Sequence, residues 1–247
     1  MDGNESLLAE ALGLSAEGKD RGLRLLLMGG LAVRALCPTS RLPPYARVCG
    51  DADFFSASDG NSVERLFVSR GWKPDAEFNL YNGDSRLKFS HEELGKSADV
   101  FVRRFRMCHE IRIDAADGDG RPTVSLAELL LTKLQVVEAN EKDLADAYCI
   151  LADHDPVRGG TEGLDPARLA GACAADWGLF TTVQLSLERL EAWAAGSVPD
   201  ESRAARVATG ISLLRSALET EEKSLAWKAR ALVGKRLRWY ELPEEVL

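Results

Sequence analysis

The sequence contains few of the residues that build metal clusters or disulfide frameworks. Its three histidines are scattered, without an HxxxH or HExxH pair. Its five cysteines are odd in number and include no CxxC pair, which argues against a zinc site or a disulfide scaffold and favours free thiols. The sequence also has no apolar run near the roughly 20 residues of a transmembrane helix. We therefore expect a cytoplasmic protein stabilised by a hydrophobic core.

An excess of basic charge is also missing, because the formal net charge is −8. Bulk attraction to nucleic acid is therefore excluded, and any such contact needs a local basic patch. One basic cluster, within residues 224–240, contains no acid; its members are Lys228, Arg230, Lys235, Arg236 and Arg238. We interpret it first as a solvated helix face. The alternative is a surface for RNA, because tryptophan and tyrosine side chains lie between its cations.

Strand patterns dominate the first half of the chain and helical patterns the second. Strands are predicted at 23–28, 48–55, 78–81, 86–89, 98–105 and 110–114, with a hairpin joining 78–81 to 86–89. Helices are predicted at 6–14, 31–36, 61–70, 125–140, 143–151, 166–195 and 202–237. The proline-rich segment 37–45 is predicted to be a loop, 114–120 a polar turn and 157–163 a linker. The order favours an α+β domain, residues 1–156, and a helical C-terminal domain, residues 164–247.

A glycine pair stands at the end of the first predicted strand. Gly29 and Gly30 permit positive φ angles and close approach of the backbone to a ligand. The helix that follows offers free N–H groups and a partial positive charge, which suit a phosphate. A glycine pair alone is more often only a turn.

Three aspartates lie in or beside predicted strands. Asp51 and Asp53 are two residues apart, so their side chains share one face of the strand, with α-carbons about 6.5–7 Å apart. Asp99 lies within an apolar strand, where an acid is costly unless it is paired. Solvated acids on an edge strand are the alternative for the pair. Three carboxylates on neighbouring strands fit two Mg²⁺ ions that assist phosphoryl transfer.

Lys133 lies on the apolar face of its predicted helix, between leucines and valines one turn away. An ammonium group there needs an anion. A nucleotide phosphate, Asp143 or Asp146 could supply it. Extension of the lysine to solvent is an equally good alternative.

These motifs resemble those of the nucleotidyltransferase superfamily of the polymerase β type. In that superfamily a Gly-Gly or Gly-Ser precedes an Asp-x-Asp, and a third acid lies on a later strand. More narrowly, Thr132-Lys133-Leu134 and the segment 142–146 (KDLAD) resemble the AbiEii-type branch, the toxins of type IV toxin–antitoxin systems and their relatives. The resemblance covers about residues 23–151. It departs from the branch at Cys49 and Gly50, where a threonine and a polar residue are usual.

The resemblance implies a mixed sheet flanked by helices, followed by a helical C-terminal region. It implies that Gly29 and Gly30 hold the triphosphate and that Asp51 and Asp53 bind two Mg²⁺ ions. Asp99 would bind the catalytic ion and help to deprotonate the acceptor hydroxyl.

The resemblance also assigns three contacts around the phosphates. Lys133 would contact a phosphate, with Asp143 or Asp146 as its positioning partner. Arg47 would neutralise the leaving pyrophosphate, and a structural ion pair is the alternative for this arginine.

The function implied is transfer of NMP from an NTP to a hydroxyl group of RNA, protein or a small molecule. Two alternatives stay open. One is a nucleotide-binding or interaction module on the same fold without turnover. The other is a toxin neutralised by an antitoxin partner.

Overall fold

A computed structural model describes residues 3–114, 120–157, 159, 163–197 and 200–242. Its helices are α1 (Gly3–Asp20), α2 (Gly29–Leu36), α3 (Gly60–Ser69), α4 (Ala76–Asn82), α5 (Leu126–Leu134), α6 (Glu141–Asp153), α7 (Pro166–Ala175), α8 (Trp177–Ser197), α9 (Glu201–Thr220) and α10 (Leu225–Val233). Its strands are β1 (Leu25–Met28), β2 (Asp51–Ser56), β3 (Lys73–Pro74), β4 (Arg86–His91), β5 (Lys96–Val102), β6 (Phe105–Arg106) and β7 (Glu110–Ile111). Short 3₁₀ turns occupy Pro38–Arg41 and Gly234–Arg236.

Five of the strands form one mixed sheet in the order β1-β2-β5-β4-β3. The central pair, β2 and β5, is parallel, and the other neighbours are antiparallel. β2 and β5 are rich in phenylalanine and valine and are largely buried, as expected for central strands. Strands β6 and β7 form a separate two-stranded hairpin. The predicted α+β class, a mixed sheet flanked by helices, is confirmed.

The helices begin where the sequence supplies capping side chains. Ser125 and Glu128 form the predicted capping box at the start of α5. Asn140 caps α6 in the same reciprocal way with Asp143. Asp176 accepts hydrogen bonds from the backbone N–H of Gly178 at 2.6 Å and starts α8. These caps fix α5 and α6, which border the candidate site.

The predicted hairpin around residues 82–84 is wrong. Residues 76–82 form α4 instead of a strand, because the side chain of Asp75 accepts a hydrogen bond from the N–H of Phe78 at 3.0 Å and caps a helix. Only its second strand exists, as β4, which pairs with β5. A local cap therefore outweighs the turn signal at residues 82–84 that favoured a hairpin.

Several predicted boundaries also change. The helix predicted over 125–140 ends at Leu134, and a new helix starts after Asn140. The helix predicted over 166–195 is interrupted at Asp176, and the one predicted over 202–237 is interrupted after Thr220. The loop 37–45 contains a 3₁₀ turn. Most of the predicted turn 114–120 and linker 157–163 lies outside the described residues.

Buried apolar residues of the sheet, of α5 and α6, and of the C-terminal helices belong to one cluster. Helices α7 and α9 pack on each other, and α9 also packs on α6. The predicted division into residues 1–156 and 164–247 stays a prediction. All five cysteines are buried free thiols. Within the part of the chain that the structure describes, no helix is both long and apolar enough to cross a bilayer.

Candidate active site

The glycine pair lies where β1 turns into α2. Gly29 has φ +68°, a left-handed conformation that favours glycine. A Cβ atom on Gly29 would lie 2.0 Å from Oδ2 of Asp53, so no side chain fits at this position. The backbone of Gly29 therefore packs directly against the carboxylate of Asp53.

The three acids lie on one face of the sheet. Asp53 is the direct register partner of Asp99 across the parallel pair of β2 and β5. Asp51 precedes Asp53 by two residues and therefore shares its face. All three line one cavity of about 450 Å³, which we call the acid cavity, together with Gly29 and Lys133. Asp51 is exposed, whereas the other two acids are partly buried.

Asp53 is the most electrostatically perturbed acid of the cavity. Its burial and the neighbouring charge of Asp51 raise the pKa of Asp53 to about 7, and the positive charge of Lys133 offsets only part of the rise. Among the described residues, Asp53 forms no ion pair. A carboxylate in this state is a favourable partner for an added cation.

Asp99 is paired with an arginine that sequence reasoning missed. The guanidinium Nη2 of Arg86 lies 3.2 Å from Oδ2 of Asp99, and Arg86 also lines the acid cavity. The other carboxylate oxygen, Oδ1, is buried without a hydrogen-bond partner, as is Nε of Arg86. The guanidinium carbon lies 5.1 Å from the ring centroid of Phe101. One oxygen of Asp99 is thus neutralised and the other is left for a ligand.

The donor set of the acid cavity suits Mg²⁺. Carboxylate oxygens are the hard ligands that this ion prefers, and the unpaired oxygen of Asp99 and the unpaired Asp53 lack a cation. Among the described residues, no group of three or more His, Cys, Asp and Glu side chains is drawn together closely enough to hold a metal by itself. Mg²⁺ in nucleotide sites is typically held by one or two carboxylates together with substrate phosphates, so a complete protein cage is not required.

Lys133 projects from α5 between two acids of α6. Its Nζ lies 2.9 Å from Oδ2 of Asp146 and 3.4 Å from Oδ1 of Asp143, and its side chain is only 13% exposed. Burial alone would lower the pKa of Lys133, but the charges of Asp146 and Asp143 outweigh it and raise the pKa. Lys133 and Asp143 line the acid cavity. The lysine is therefore positioned at the cavity by carboxylates rather than extended to solvent.

Three predicted site residues lie outside the lining of the acid cavity: Gly30, Arg47 and Asp146. Arg47 donates a hydrogen bond to Oδ2 of Asp146 at 2.8 Å. A Cβ atom on Gly30 would lie 2.2 Å from Nη2 of Arg47. Glycine at position 30 thus admits the guanidinium that pairs with Asp146. The pyrophosphate role of Arg47 stays a prediction.

The segment before β2 is fixed by side chains from elsewhere. Asn4 donates a hydrogen bond to the carbonyl of Arg47 at 2.9 Å and accepts one from the N–H of Cys49 at 2.8 Å. Lys96 donates to the carbonyl of Cys49 at 2.6 Å. Cys49 itself is buried. Where the AbiEii-type pattern has a threonine, this chain therefore has a thiol that does not line the acid cavity.

The β6–β7 hairpin forms an apolar wall of the acid cavity, which sequence reasoning also missed. Phe105, Met107 and Cys108 line the cavity, and Leu242 lines it beside them. The backbone N–H of Glu241 donates to the carbonyl of Cys108 at 3.1 Å and holds the C-terminal segment against this wall. The only sequence signal for it was the strand predicted at 110–114, of which the structure has Glu110–Ile111.

The basic cluster of the C-terminal region is partly engaged in the fold. Arg230 donates hydrogen bonds to the carbonyls of Gly234 and Leu237 at 2.7 and 2.9 Å. Lys235 lies over the ring of Trp239. Lys228, Lys235, Arg236 and Arg238 are exposed. A role of the cluster in RNA contact stays a prediction.

No family model matches this chain, and no curated protein sequence matches it. Several solved structures are similar to it, and two of them are described here. One is an antigenic nucleotidyltransferase-like protein from Paracoccidioides brasiliensis, at 15% identity and a TM-score of 0.44, covering 90% of this chain and 96% of that chain. The other is JHP933 from Helicobacter pylori, at 12% identity and a TM-score of 0.40, covering 93% and 96% of the two chains. Both likenesses are remote, so the site is assigned from the residues of this chain alone.

Proposed function

We propose that this protein is a Mg²⁺-dependent nucleotidyltransferase that moves NMP from an NTP to a hydroxyl acceptor. One observation carries the proposal: Asp51, Asp53, Asp99 and Lys133 line a single cavity at the Gly29 corner. A solvated edge strand would not bring a buried lysine and an acid of the neighbouring central strand to the same cavity. The narrower AbiEii-type resemblance stays a prediction.

The residues have distinct roles in this proposal. The backbone of Gly29, at the start of α2, and the ammonium of Lys133 bind the triphosphate. Asp51, Asp53 and Asp99 would hold two Mg²⁺ ions, which would neutralise charge on the phosphates when bound. Asp143 and Asp146 keep Lys133 charged and oriented, as their ion pairs support.

The reaction forms one bond and breaks one. The acceptor oxygen bonds to the α-phosphorus, the bond between that phosphorus and the bridging oxygen breaks, and pyrophosphate leaves. The hydroxyl proton passes to a carboxylate of the cavity, and we assign this step to Asp99, whose Oδ1 is buried and unpaired. Phe105 and Met107 form part of an apolar wall of the cavity.

Label transfer tests the proposal. The protein is incubated with each α-³²P-labelled NTP, MgCl₂ and total cell RNA or cell protein, beside Asp51→Ala and the matched control Asp84→Ala. Asp84 is exposed and lies outside the acid cavity. We expect label transfer by the wild type and the control and its loss in Asp51→Ala.

Equal transfer by the wild type and Asp51→Ala would overturn the assignment of the site. If no label is transferred to either acceptor pool but a fluorescent NTP binds, the non-catalytic nucleotide-binding alternative replaces the enzymatic one.

A further inference from the structure

A second cleft, of about 840 Å³, shares two elements with the acid cavity. In the β6–β7 hairpin, Phe105 lines the acid cavity, and its register partner Ile111 lines the second cleft. In α5, Leu131 lines the second cleft, whereas the next residues, Thr132 and Lys133, line the acid cavity. The two depressions are therefore adjacent and separated by a wall only one hairpin and one helix thick.

Three arginines without carboxylate partners line this second cleft, which we call the arginine cleft. Arg103 and Arg104 follow β5, and Arg112 follows β7. All three are exposed, and among the described residues none forms an ion pair. A fourth, Arg168, is paired with Asp114 at 2.9 Å.

Two of the three acids that line the arginine cleft face Arg168. Asp114 pairs with Arg168, and the buried Glu128 caps α5 and also faces Arg168 at 3.7 Å. The third acid, Glu110, is exposed and forms no ion pair among the described residues. Four arginines and three acids therefore line the cleft, a net charge of +1 in a chain whose net charge is −8, and among the described residues Arg103, Arg104 and Arg112 have no carboxylate partner.

The backbone at these arginines is held in an uncommon conformation. Arg103 has φ +61°, in the left-handed region that side chains other than glycine rarely adopt. Its N–H donates to the carbonyl of Ser56 and the N–H of Arg104 donates to that of Val102, both at 2.7 Å. Backbone strain of this kind is concentrated at functional sites. The strained residue therefore lies directly after β5, where Arg103 and Arg104 line the cleft.

We propose that the arginine cleft binds the phosphates of a single-stranded polynucleotide whose end is the acceptor in the acid cavity. Guanidinium groups match phosphate oxygens in a two-pronged geometry. The partly buried apolar residues Ile113 and Ala172 line the cleft beside the arginines and can contact sugars and bases. A volume of about 840 Å³ exceeds the needs of one phosphate, and a small acceptor would have no use for a second basic depression beside the first. The acceptor role rests on the proposed function, whereas the binding itself does not.

Binding of a labelled RNA tests this inference. A fluorescein-labelled 12-nucleotide single strand of mixed sequence is titrated with protein at 50 and 200 mM salt, with fluorescence anisotropy as the readout. The cleft variant is Arg103→Asn/Arg104→Gln/Arg112→Gln, in which asparagine tolerates the left-handed backbone. The control, Lys228→Gln/Lys235→Gln/Arg236→Gln, removes the same charge from the C-terminal cluster. Thermal unfolding of all variants verifies that each is folded.

We expect the cleft variant to bind at least about tenfold more weakly at 50 mM salt, with the control near the wild type. The slope of log affinity against log salt should fall by about 2 in magnitude, since each phosphate contact to a single strand contributes about 0.7. Unchanged binding by the cleft variant, equal weakening in both variants, or no binding by the wild type would overturn the inference. The inference would also fail if the cleft variant lost its binding of inorganic polyphosphate but still bound RNA as tightly as the wild type does.

Asp51→Ala separates this inference from the proposed function. It should bind the RNA as the wild type does and transfer no label. If the wild type itself transfers no label but its RNA binding depends on the cleft, the catalytic proposal fails and the cleft assignment stands.

Discussion

The carboxylate of Asp53 is expected to destabilise the folded protein at neutral and alkaline pH when no metal is present. Burial and the charge of Asp51 raise the pKa of Asp53 in the folded state from 3.8 to about 7. The folded state therefore binds this proton more tightly than the unfolded state does. The free energy of unfolding consequently falls as the pH rises from about 4 to about 7. Below this window both states are protonated, and above it the destabilisation is complete.

The substitution Asp53→Asn keeps the shape of the side chain and removes the ionisation. Each pKa unit corresponds to about 1.4 kcal/mol, so a rise from 3.8 to about 7 corresponds to about 4 kcal/mol. We therefore expect the free energy of unfolding of the variant, relative to the wild type, to increase by about 4 kcal/mol between pH 4 and pH 8. Urea unfolding followed by circular dichroism at several pH values, in EDTA, measures this difference.

Asp84→Asn is the matched control, because Asp84 is exposed and outside the cavity. The free energy of unfolding of this control should stay within about 0.5 kcal/mol of the wild-type value at every pH. Addition of MgCl₂ with an NTP should stabilise the wild type and not Asp53→Asn, since only the wild type binds the complex. If the difference in the free energy of unfolding between Asp53→Asn and the wild type does not grow with pH, the electrostatic description of the site is refuted.

Three further substitutions test separate parts of the site. Gly29→Ala places a Cβ atom 2.0 Å from Oδ2 of Asp53, so it should abolish Mg²⁺–NTP binding measured by calorimetry; retained affinity would contradict the proposed role of the corner. Arg86→Gln removes the cation 3.2 Å from Asp99 and should raise Mn²⁺ affinity in the absence of NTP, measured by electron paramagnetic resonance, whereas an unchanged affinity would show that this ion pair does not compete with metal. Asp146→Asn removes the carboxylate that pairs with Arg47 and Lys133. It should lower the free energy of unfolding by about 3 kcal/mol, because two partly buried cations lose their counter-charge. A change below about 0.5 kcal/mol in urea unfolding would show that these ion pairs contribute little to stability.

The local part of the site could be predicted from sequence. The strand before Gly29 and the two-residue spacing of Asp51 and Asp53 are properties of short segments, and the structure has both. The capping box at Ser125 and Glu128 is also local and is confirmed. That Asp99 would lie beside Asp53 required the parallel pairing of β2 with β5, which no short segment specifies.

What sequence reasoning missed depends on contacts between distant segments. Arg86 meets Asp99 only because β4 pairs with β5 in one particular register. The arginine cleft combines residues after β5 and β7 with α7, so its charge surplus cannot be recognised along the chain. The strand wrongly predicted at 78–81 shows the converse, since the turn signal at residues 82–84 was given more weight than the capping side chain of Asp75.

The most direct test of the central claim is a crystal structure with MnCl₂ and a non-hydrolysable NTP analogue, with anomalous diffraction to locate manganese. We predict anomalous peaks between the carboxylates of Asp51, Asp53 and Asp99, and a triphosphate that lies against the backbone of Gly29. Manganese and nucleotide bound elsewhere on the protein, with these three carboxylates free of metal, would contradict the account.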